Sequence, residues 1–138
     1  LGGGRDGGTA AARRPVMTPA QRNAAAIAAR MPERELLEAI YEIACSRGLL
    51  AYHTHDSRRS QPGFPDLVIV GPGGVLWREL KTQHASITNE QRLWGNLLRE
   101  AGQDWEIWRP ADLVSDRIHT ELSALTVRYE PRNITTPR

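Results

Sequence analysis

Two acidic residues and one lysine stand at the outer ends of two adjacent apolar segments, where their side chains could do chemistry together. Asp66 precedes one segment, and Glu79 and Lys81 end the next. In an antiparallel pair centred on the intervening turn, Asp66 faces Glu79, with Cβ atoms roughly 4.5–5.5 Å apart. Two carboxylates at that spacing repel each other unless a cation lies between them. Lys81 is two residues beyond Glu79 and therefore on the same face. This pattern indicates a site for a metal ion and an anion.

Lys81 is the only lysine among the 18 lysine and arginine residues of the chain. A lysine is a compact donor whose pKa shifts readily, whereas an arginine stays protonated and presents a planar fork. A single lysine must lie somewhere, so its position could be chance. Its place in Glu79-Leu80-Lys81, beside the opposed acids, favours a role in the chemistry.

The segment 63–81 predicts the β-hairpin that would bring these side chains together. Two apolar runs flank a four-residue turn, Gly71-Pro72-Gly73-Gly74. Turn residues between apolar runs are typical of a hairpin. Pairing across this turn places Val70 opposite Val75 and Val68 opposite Trp77.

The remaining elements are predicted from apolar periodicity and capping residues. They are a helix over 32–47, a strand over 49–54, a helix over 88–102, a strand over 105–108 and a helix over 111–125. The strand at 105–108 follows a crossover helix, so it is expected to be parallel to the strand that ends at Lys81. The predicted inward positions of the later helices and strands include Trp94, Leu97, Trp105, Trp108 and Val114.

These elements predict an α/β protein with an α-β-β-β-α-β core, a small mixed sheet flanked by helices, and a C-terminal helix. The core domain would span residues 32–126. An Ala-rich or disordered extension is expected over 1–31, with a short helix possible after Thr18-Pro19. A basic tail is expected over 127–138.

Six ordered stretches resemble the VRR-NUC family of the PD-(D/E)XK nuclease superfamily and cover roughly residues 32–125. They are Glu33-Arg34-Glu35-Leu36, Tyr52-His53-Thr54-His55-Asp56-Ser57-Arg58-Arg59-Ser60, Gly63-Phe64-Pro65-Asp66, Trp77-Arg78-Glu79-Leu80-Lys81, Glu90-Gln91-Arg92-Leu93-Trp94 and Trp108-Arg109-Pro110. Pro65-Asp66 and Glu79-Leu80-Lys81 resemble the motif of the superfamily. The resemblance implies a restriction-endonuclease-like fold and hydrolysis of DNA phosphodiester bonds by water.

The resemblance also implies the members of the active site. Asp66, Glu79 and the Leu80 carbonyl would bind Mg²⁺ or Mn²⁺, which prefer oxygen ligands. Lys81 would position the attacking water or stabilise charge on the phosphate. Glu33 would add a third carboxylate, although an acid in a first helical turn also stabilises its helix. Gln91 lies beside the active site in this family, although capping alone would explain it.

The loop over 57–60 predicts contacts with nucleic acid. Arg58 and Arg59 are candidates for binding backbone phosphates. Ser57 and Ser60 could bind a phosphate or only support the loop. A solvated polar loop is the alternative interpretation.

Stand-alone members of this family resemble Holliday-junction resolvases and act as homodimers. The resemblance therefore implies a homodimer that cuts branched DNA, with a monomeric nicking enzyme as the alternative. A catalytically silent DNA-binding module of the same fold and a nuclease acting on RNA or flap DNA are further alternatives.

The composition fits a protein of a reducing compartment. Cys45 is the single cysteine, which excludes an internal disulfide, and no apolar run approaches the length of a membrane span. We therefore expect a cytoplasmic protein of a bacterial or phage-infected cell with no membrane partner. The net charge of +2 and the arginine bias are compatible with a polyanionic partner.

Overall fold

A computed structural model describes residues 11–54, 59, 61–128 and 130. These residues form a four-stranded mixed sheet and five helices, which confirms the predicted α/β core with flanking helices and a C-terminal helix. The elements in chain order are α1 (Pro19–Arg30), α2 (Glu33–Ser46), β1 (Leu50–His53), β2 (Leu67–Gly71), β3 (Gly74–Leu80), α3 (Asn89–Glu100), β4 (Asp104–Trp108), α4 (Pro110–Val114) and α5 (Arg117–Leu125).

The sheet has the strand order β1-β2-β3-β4. The first two pairs are antiparallel, and β3 and β4 are parallel because α3 crosses over between them. The predicted hairpin register is confirmed, since Val70 pairs with Val75 and Val68 with Trp77. The paired ladder extends to Leu67 and Arg78, so Asp66 lies just outside it.

The hairpin turn is shorter than the four residues predicted. Gly71 and Gly74 pair within the ladder, which leaves only Pro72 and Gly73 in the loop. The loop packs against the end of α5, where the Gly73 N–H donates to the Leu125 carbonyl over 2.9 Å. A Cβ at Gly73 would lie 2.5 Å from a main-chain oxygen of that helix. Glycine is therefore needed there for close approach, and not for turn geometry alone.

The core lies between one face of the sheet and helices α2 and α5. Leu36 and Ile40 of α2 and Ile118 and Leu122 of α5 are fully buried. The strands contribute the other buried side chains of this cluster, which include Leu67, Ile69, Leu76, Leu80 and Trp108. Burial of this apolar surface fixes β3 firmly against the helices, with the alternate side chains of the strand on the opposite face.

Helix α3 covers that opposite face. Gly95 packs so closely on the sheet that a Cβ there would lie 2.6 Å from the ring of Trp105, which is 4% exposed. The prediction that Leu97 points inward is wrong, because Leu97 is 55% exposed. Leu97 lies two residues beyond Gly95, about 200° around the helix at 3.6 residues per turn. The contact through Gly95 therefore turns Leu97 outward.

The predicted single helix over 111–125 is two helices, α4 and α5. Ser115 ends α4 with an extended ψ of 174°. The Asp112 carboxylate accepts from the Arg109 N–H and from Arg117 Nη1, which stabilises the first turn of α4 and the start of α5 separately. The break leaves Val114 38% exposed, so its predicted inward position is wrong, while Leu113 packs against the core.

The segment before the core contains the helix that Thr18-Pro19 suggested. Thr18 and Gln21 form a capping box at the start of α1, and Ala28 is buried where the helix contacts α4. Residues 1–10 of the predicted extension and most of the tail over 127–138 lie outside the described residues. Across the described ranges, no helix combines the length and the apolarity that spanning a membrane would require.

Candidate active site

Glu79 is buried between β3 and the first turn of α3. It is 1% exposed and lies on the face of the strand that α3 covers. Gln91 Nε2 donates to Glu79 Oε1 over 2.9 Å. Gln91 Oε1 accepts from the Thr88 N–H over 2.8 Å and so completes the predicted capping box. Gln91 thus both caps α3 and holds one oxygen of Glu79, the two roles that the sequence left open.

Asp66 is tied to the end of β3 by its side chain. Its Oδ2 accepts from the Leu80 N–H over 2.8 Å, and its carbonyl accepts from the Thr54 N–H. The main-chain pairing of β2 and β3 ends at Leu67 and Arg78, and this side-chain bond continues the connection between the two strands beyond that pair. It places the Asp66 carboxyl beside that of Glu79, close enough to share a hydrogen bond when one of them is protonated.

The pKa of Glu79 is raised to about 10. Burial is the largest cause, followed by the hydrogen bond with Asp66 and the charge of Asp66, while the charge of Lys81 acts in the opposite direction. Glu79 Oε2 is buried and has no hydrogen-bond partner among the described residues. A shared hydrogen bond with Asp66 requires an added proton, because two carboxylates are both acceptors. The acid pair therefore needs a proton or a cation.

Glu33 reaches the same end of the sheet from the first turn of α2. Its pKa is raised, first by partial burial and then by the charge of Asp66, and the charge of Lys81 lowers it. Glu33 also lines a cleft of about 220 Å³ together with His53, Asp66 and Leu80. The structure therefore brings Glu33 near the acid pair. Its position in the first turn of α2 also suits a helix-stabilising acid.

Lys81 follows β3 directly, and its N–H donates to the Trp108 carbonyl over 3.1 Å. Its charge lowers the pKa of both Glu33 and Glu79, so its ammonium group lies within electrostatic reach of both acids. The end of β3 thus collects two adjacent carboxyls, a third acid and the only lysine. Such a group can bind a cation and the anion that accompanies it.

The donor set at the acid pair fits Mg²⁺ or Mn²⁺. Asp66, Glu79 and the Leu80 carbonyl offer hard oxygen atoms, which both ions prefer. The unpaired, buried Oε2 of Glu79 is the observation that supports this fit. In the described ranges, no group of three or more His, Cys, Asp or Glu side chains is gathered closely enough to form a metal site by itself.

Of the predicted nucleic-acid loop, only Arg59 is among the described residues, and it is exposed. Ser57, Arg58 and Ser60 lie outside them. His53, which borders the cleft, packs edge-on against Tyr41 with ring centroids 5.7 Å apart.

Three tryptophans, Trp94, Trp105 and Trp108, were predicted to lie in the core, and two of them do. Trp105 and Trp108 are 4% and 0% exposed, whereas Trp94 is only partly buried. Trp94 packs edge-on against Phe64 at 5.2 Å, and its Nε1 donates to the Pro62 carbonyl over 3.1 Å. These contacts bind the loop that carries Asp66 to α3.

A buried arginine beside the site was missed from the sequence. Arg78 is fully buried, and its Nη2 donates to Glu121 Oε1 over 3.0 Å while its Nη1 donates to the Asp104 carbonyl over 2.7 Å. Its guanidinium carbon lies 4.9 Å from the centre of the Trp108 ring. The available signal was a charge between Leu76 and Leu80 on the apolar face of β3.

Arg78 and Glu79 therefore anchor the two faces of one strand, with the arginine toward α5 and the acid toward α3. This part of β3 is therefore well fixed under the acid pair, because Arg78 and Glu79 are both buried and both hydrogen-bonded.

Comparison with family models, with curated proteins and with solved structures found no match to this chain.

Proposed function

We propose that this chain is a Mg²⁺- or Mn²⁺-dependent nuclease that hydrolyses DNA phosphodiester bonds. The observation that carries the proposal is the buried carboxyl of Glu79, which has an unpaired Oε2, lies beside Asp66 and has its pKa raised to about 10. Burying an unpaired carboxylate is unfavourable, and a bound cation would offset that penalty. When bound, the ion would supply charge neutralisation and polarise the scissile phosphate.

The residues of the chain would then divide the remaining work. Asp66, held by the Leu80 N–H, and Glu79, held by Gln91, would present fixed oxygens to the cation. Lys81 would stabilise charge that develops on the phosphate or hold the attacking water. Because these side chains are anchored before substrate arrives, little reorganisation would be needed in the transition state.

The substrate class rests on the resemblance to the VRR-NUC family. It favours an endonuclease that acts on branched DNA such as a Holliday junction, in the cytoplasm, as a homodimer whose two sites nick paired strands. Symmetric cleavage of two strands requires two copies of a domain with one acid pair. Sedimentation that finds only monomer at the concentration used for cleavage would contradict this part of the proposal.

The first test is cleavage of end-labelled nucleic acids by the purified protein with Mg²⁺, with Mn²⁺ and with a chelator. The panel contains single strands, duplex, a flap, a four-way junction and an RNA of matched sequence. Glu79→Gln keeps the size of the side chain and removes the carboxylate that would bind the cation. Glu100→Gln is the matched control, since Glu100 is an exposed acid at the end of α3.

Metal-dependent cleavage that Glu79→Gln lacks and Glu100→Gln retains would support the nuclease. Symmetric nicking of the junction would support the resolvase-like activity. Preferential cleavage of flaps or RNA would instead make flap DNA or RNA the substrate. Tight binding without any cleavage would favour the silent DNA-binding module. Cleavage by Glu79→Gln at the wild-type rate would overturn the assignment of the acid pair.

A further inference from the structure

A second cavity lies one strand away from Glu79, on the face of the sheet that α3 covers. It has a volume of about 460 Å³ and is lined by residues 83–87 of the β3–α3 loop, together with Arg92, Ile107 and Arg109. Ile107 is the direct partner of Glu79 in the parallel pair of strands. Neighbouring strands lie about 4.8 Å apart, so this cavity begins one strand away from the acids.

Arg109 holds the wall of this cavity in place. Its Nη1 donates to the carbonyls of Thr82 and Ala85 over 2.8 and 2.6 Å. On the other side of the loop, the Gln83 side chain accepts from the Ala111 N–H over 2.9 Å. The loop is therefore fixed at several points, and the cavity is preformed.

The positive charge at this cavity is not neutralised by carboxylates. The bonds of the Arg109 side chain go to carbonyl oxygens, and Asp112 pairs with the Arg117 guanidinium. Within the part of the chain that the structure describes, the side chains of Arg92 and His84 make no hydrogen bond or ion pair. Three other arginines differ, because each pairs with an acid: Arg78 with Glu121, Arg99 with Glu106 and Arg117 with Asp112.

Arg92 also has a fixed relation to the acid pair. It follows Gln91, whose side chain bonds Glu79, in the first turn of α3. The capping box at Thr88 holds that turn in place. Ser86 adds a hydroxyl to the same lining. The cavity therefore presents a guanidinium, an imidazole and a hydroxyl on a rigid frame beside the acids.

We propose that this cavity is a subsite for a backbone phosphate of the nucleic-acid strand next to the one that lies at the acids. Arg92 binds the phosphate, with His84 and Ser86 as further donors, and Arg109 positions the loop. Guanidinium groups match phosphate oxygens in charge and geometry. Phosphate contacts set the register of a strand on a protein. The subsite would therefore select which phosphodiester reaches Asp66 and Glu79, and in this sense it rests on the proposed function.

The test compares Arg92→Ala with Arg99→Ala. Both variants remove one arginine from α3, but Arg99 pairs with Glu106 at the other end of the helix. Binding of fluorescently labelled single-stranded and duplex DNA is measured by anisotropy over a salt series, in chelator so that no strand is cut. We expect Arg92→Ala to weaken binding on the order of tenfold, as for the loss of one charge-assisted hydrogen bond.

The salt dependence identifies the contact. Loss of one phosphate contact should make the slope of log K against log salt shallower by about 0.9 on duplex or about 0.7 on single strands. Arg99→Ala should change neither affinity nor slope by more than the error of the measurement. Arg92→Lys, which keeps the charge, should recover most of the affinity. Circular dichroism and thermal denaturation establish that each variant is folded.

Wild-type affinity and slope for Arg92→Ala, or an equal loss for Arg99→Ala, would overturn the subsite, as would failure of the wild type to bind any nucleic acid. Cleavage of the same DNAs with Mg²⁺ separates this result from the proposed function. If the wild type binds DNA through Arg92 but cuts none of the DNAs, the phosphate subsite is supported and the nuclease function is contradicted. If the wild type cuts DNA but Arg92→Ala has wild-type affinity and salt slope, the nuclease function is supported and the phosphate subsite is contradicted.

Discussion

Gln91 joins the Glu79 carboxyl to the N-terminus of α3 through a single amide group. Its Nε2 donates to Glu79 Oε1 over 2.9 Å, and its Oε1 accepts from the Thr88 N–H over 2.8 Å. The two bonds use opposite ends of the amide, so the capping bond determines which atom faces the acid. The position of α3 and the orientation of Glu79 are therefore coupled.

Replacing Gln91 with alanine should affect stability and activity separately. Loss of the capping bond is expected to lower the free energy of unfolding by about 1 kcal/mol. Gln21→Ala is a matched control, because Gln21 forms the same capping box in α1 without touching an acid. Urea denaturation should show a larger loss for Gln91→Ala than for Gln21→Ala, because Gln91→Ala also removes the donor to the buried Glu79 Oε1. Only Gln91→Ala should lose metal-dependent cleavage. Equal cleavage by the two variants would mean that Gln91 is only a cap.

The raised pKa of Glu79 predicts an unusual pH dependence of stability in the absence of metal. An unfolded carboxyl releases its proton near pH 4.5, whereas Glu79 in the folded protein releases it near pH 10. Between these values the folded state binds more protons, so the free energy of unfolding falls as pH rises. The slope from this group is at most about 1.4 kcal/mol per pH unit.

Urea denaturation of the chelated protein from pH 5.5 to 9 measures that slope. Glu79→Gln should flatten it, because an amide does not titrate in this range. Mg²⁺ should stabilise the wild type more at pH 9 than at pH 6, since cation binding replaces the proton. Identical slopes for wild type and Glu79→Gln would show that Glu79 is not the group that holds the proton.

Lys81 tests whether the site needs a compact donor or only a positive charge. Lys81→Arg keeps the charge and changes its shape and reach. We expect a loss of roughly 10²-fold in the single-turnover cleavage rate, in the range seen when a group that stabilises transition-state charge is displaced. Arg92→Lys, the reverse exchange at the proposed phosphate subsite, should change the rate much less. Unchanged turnover in Lys81→Arg would limit Lys81 to a charge effect.

Asp66→Asn separates the structural and chemical roles of this acid. The amide oxygen can still accept from the Leu80 N–H, so the fold should be preserved. Metal-dependent cleavage should nevertheless be lost, because the carboxylate charge is absent. Thermal denaturation and the cleavage assay are read together. A folded Asp66→Asn protein that cuts at the wild-type rate would exclude Asp66 from the chemistry.

Arg78 should contribute to stability rather than to chemistry. Arg78→Met leaves the Asp104 carbonyl and one oxygen of Glu121 without their donor, and we expect a loss of about 1–3 kcal/mol in the free energy of unfolding. Arg78→Met combined with Glu121→Gln should recover part of that loss, because the charge that faced Arg78 is also removed while the amide oxygen can still accept from Trp108 Nε1. Urea denaturation of the three proteins measures the difference. A double variant less stable than Arg78→Met would argue against this pairing.

The hairpin register could be predicted because its determinants are local. Turn glycines and alternating strand residues lie within twenty positions of one another, and Val68 and Trp77 pair as expected. The same locality made the capping box at Thr88 and the start of a short helix at Thr18-Pro19 recognisable. The resemblance of short motifs, and not the local pattern, supplied the roles of Glu33 and Gln91.

The features that were missed depend on contacts between distant parts of the chain. Arg78 bonds residues 26 and 43 positions away, so nothing near it in sequence marks its burial. The break between α4 and α5 depends on two hydrogen bonds of the Asp112 carboxylate, which accepts from the Arg109 N–H with Oδ2 and from Arg117 Nη1 with Oδ1. The outward position of Leu97 follows from the packing of Gly95 on Trp105. Apolar periodicity does not contain this information.

The hairpin is held at both ends, by Gly73 against Leu125 at its tip and by Asp66 against Leu80 at its base. Arg78 and Glu79 are consecutive and point to opposite faces, so lengthening β3 by one residue would move the acid into the core and the arginine toward α3. An insertion or deletion of two residues would keep both on their own sides. The faces on which the acid and the arginine lie therefore depend on whether the number of residues added to or removed from β3 is even or odd.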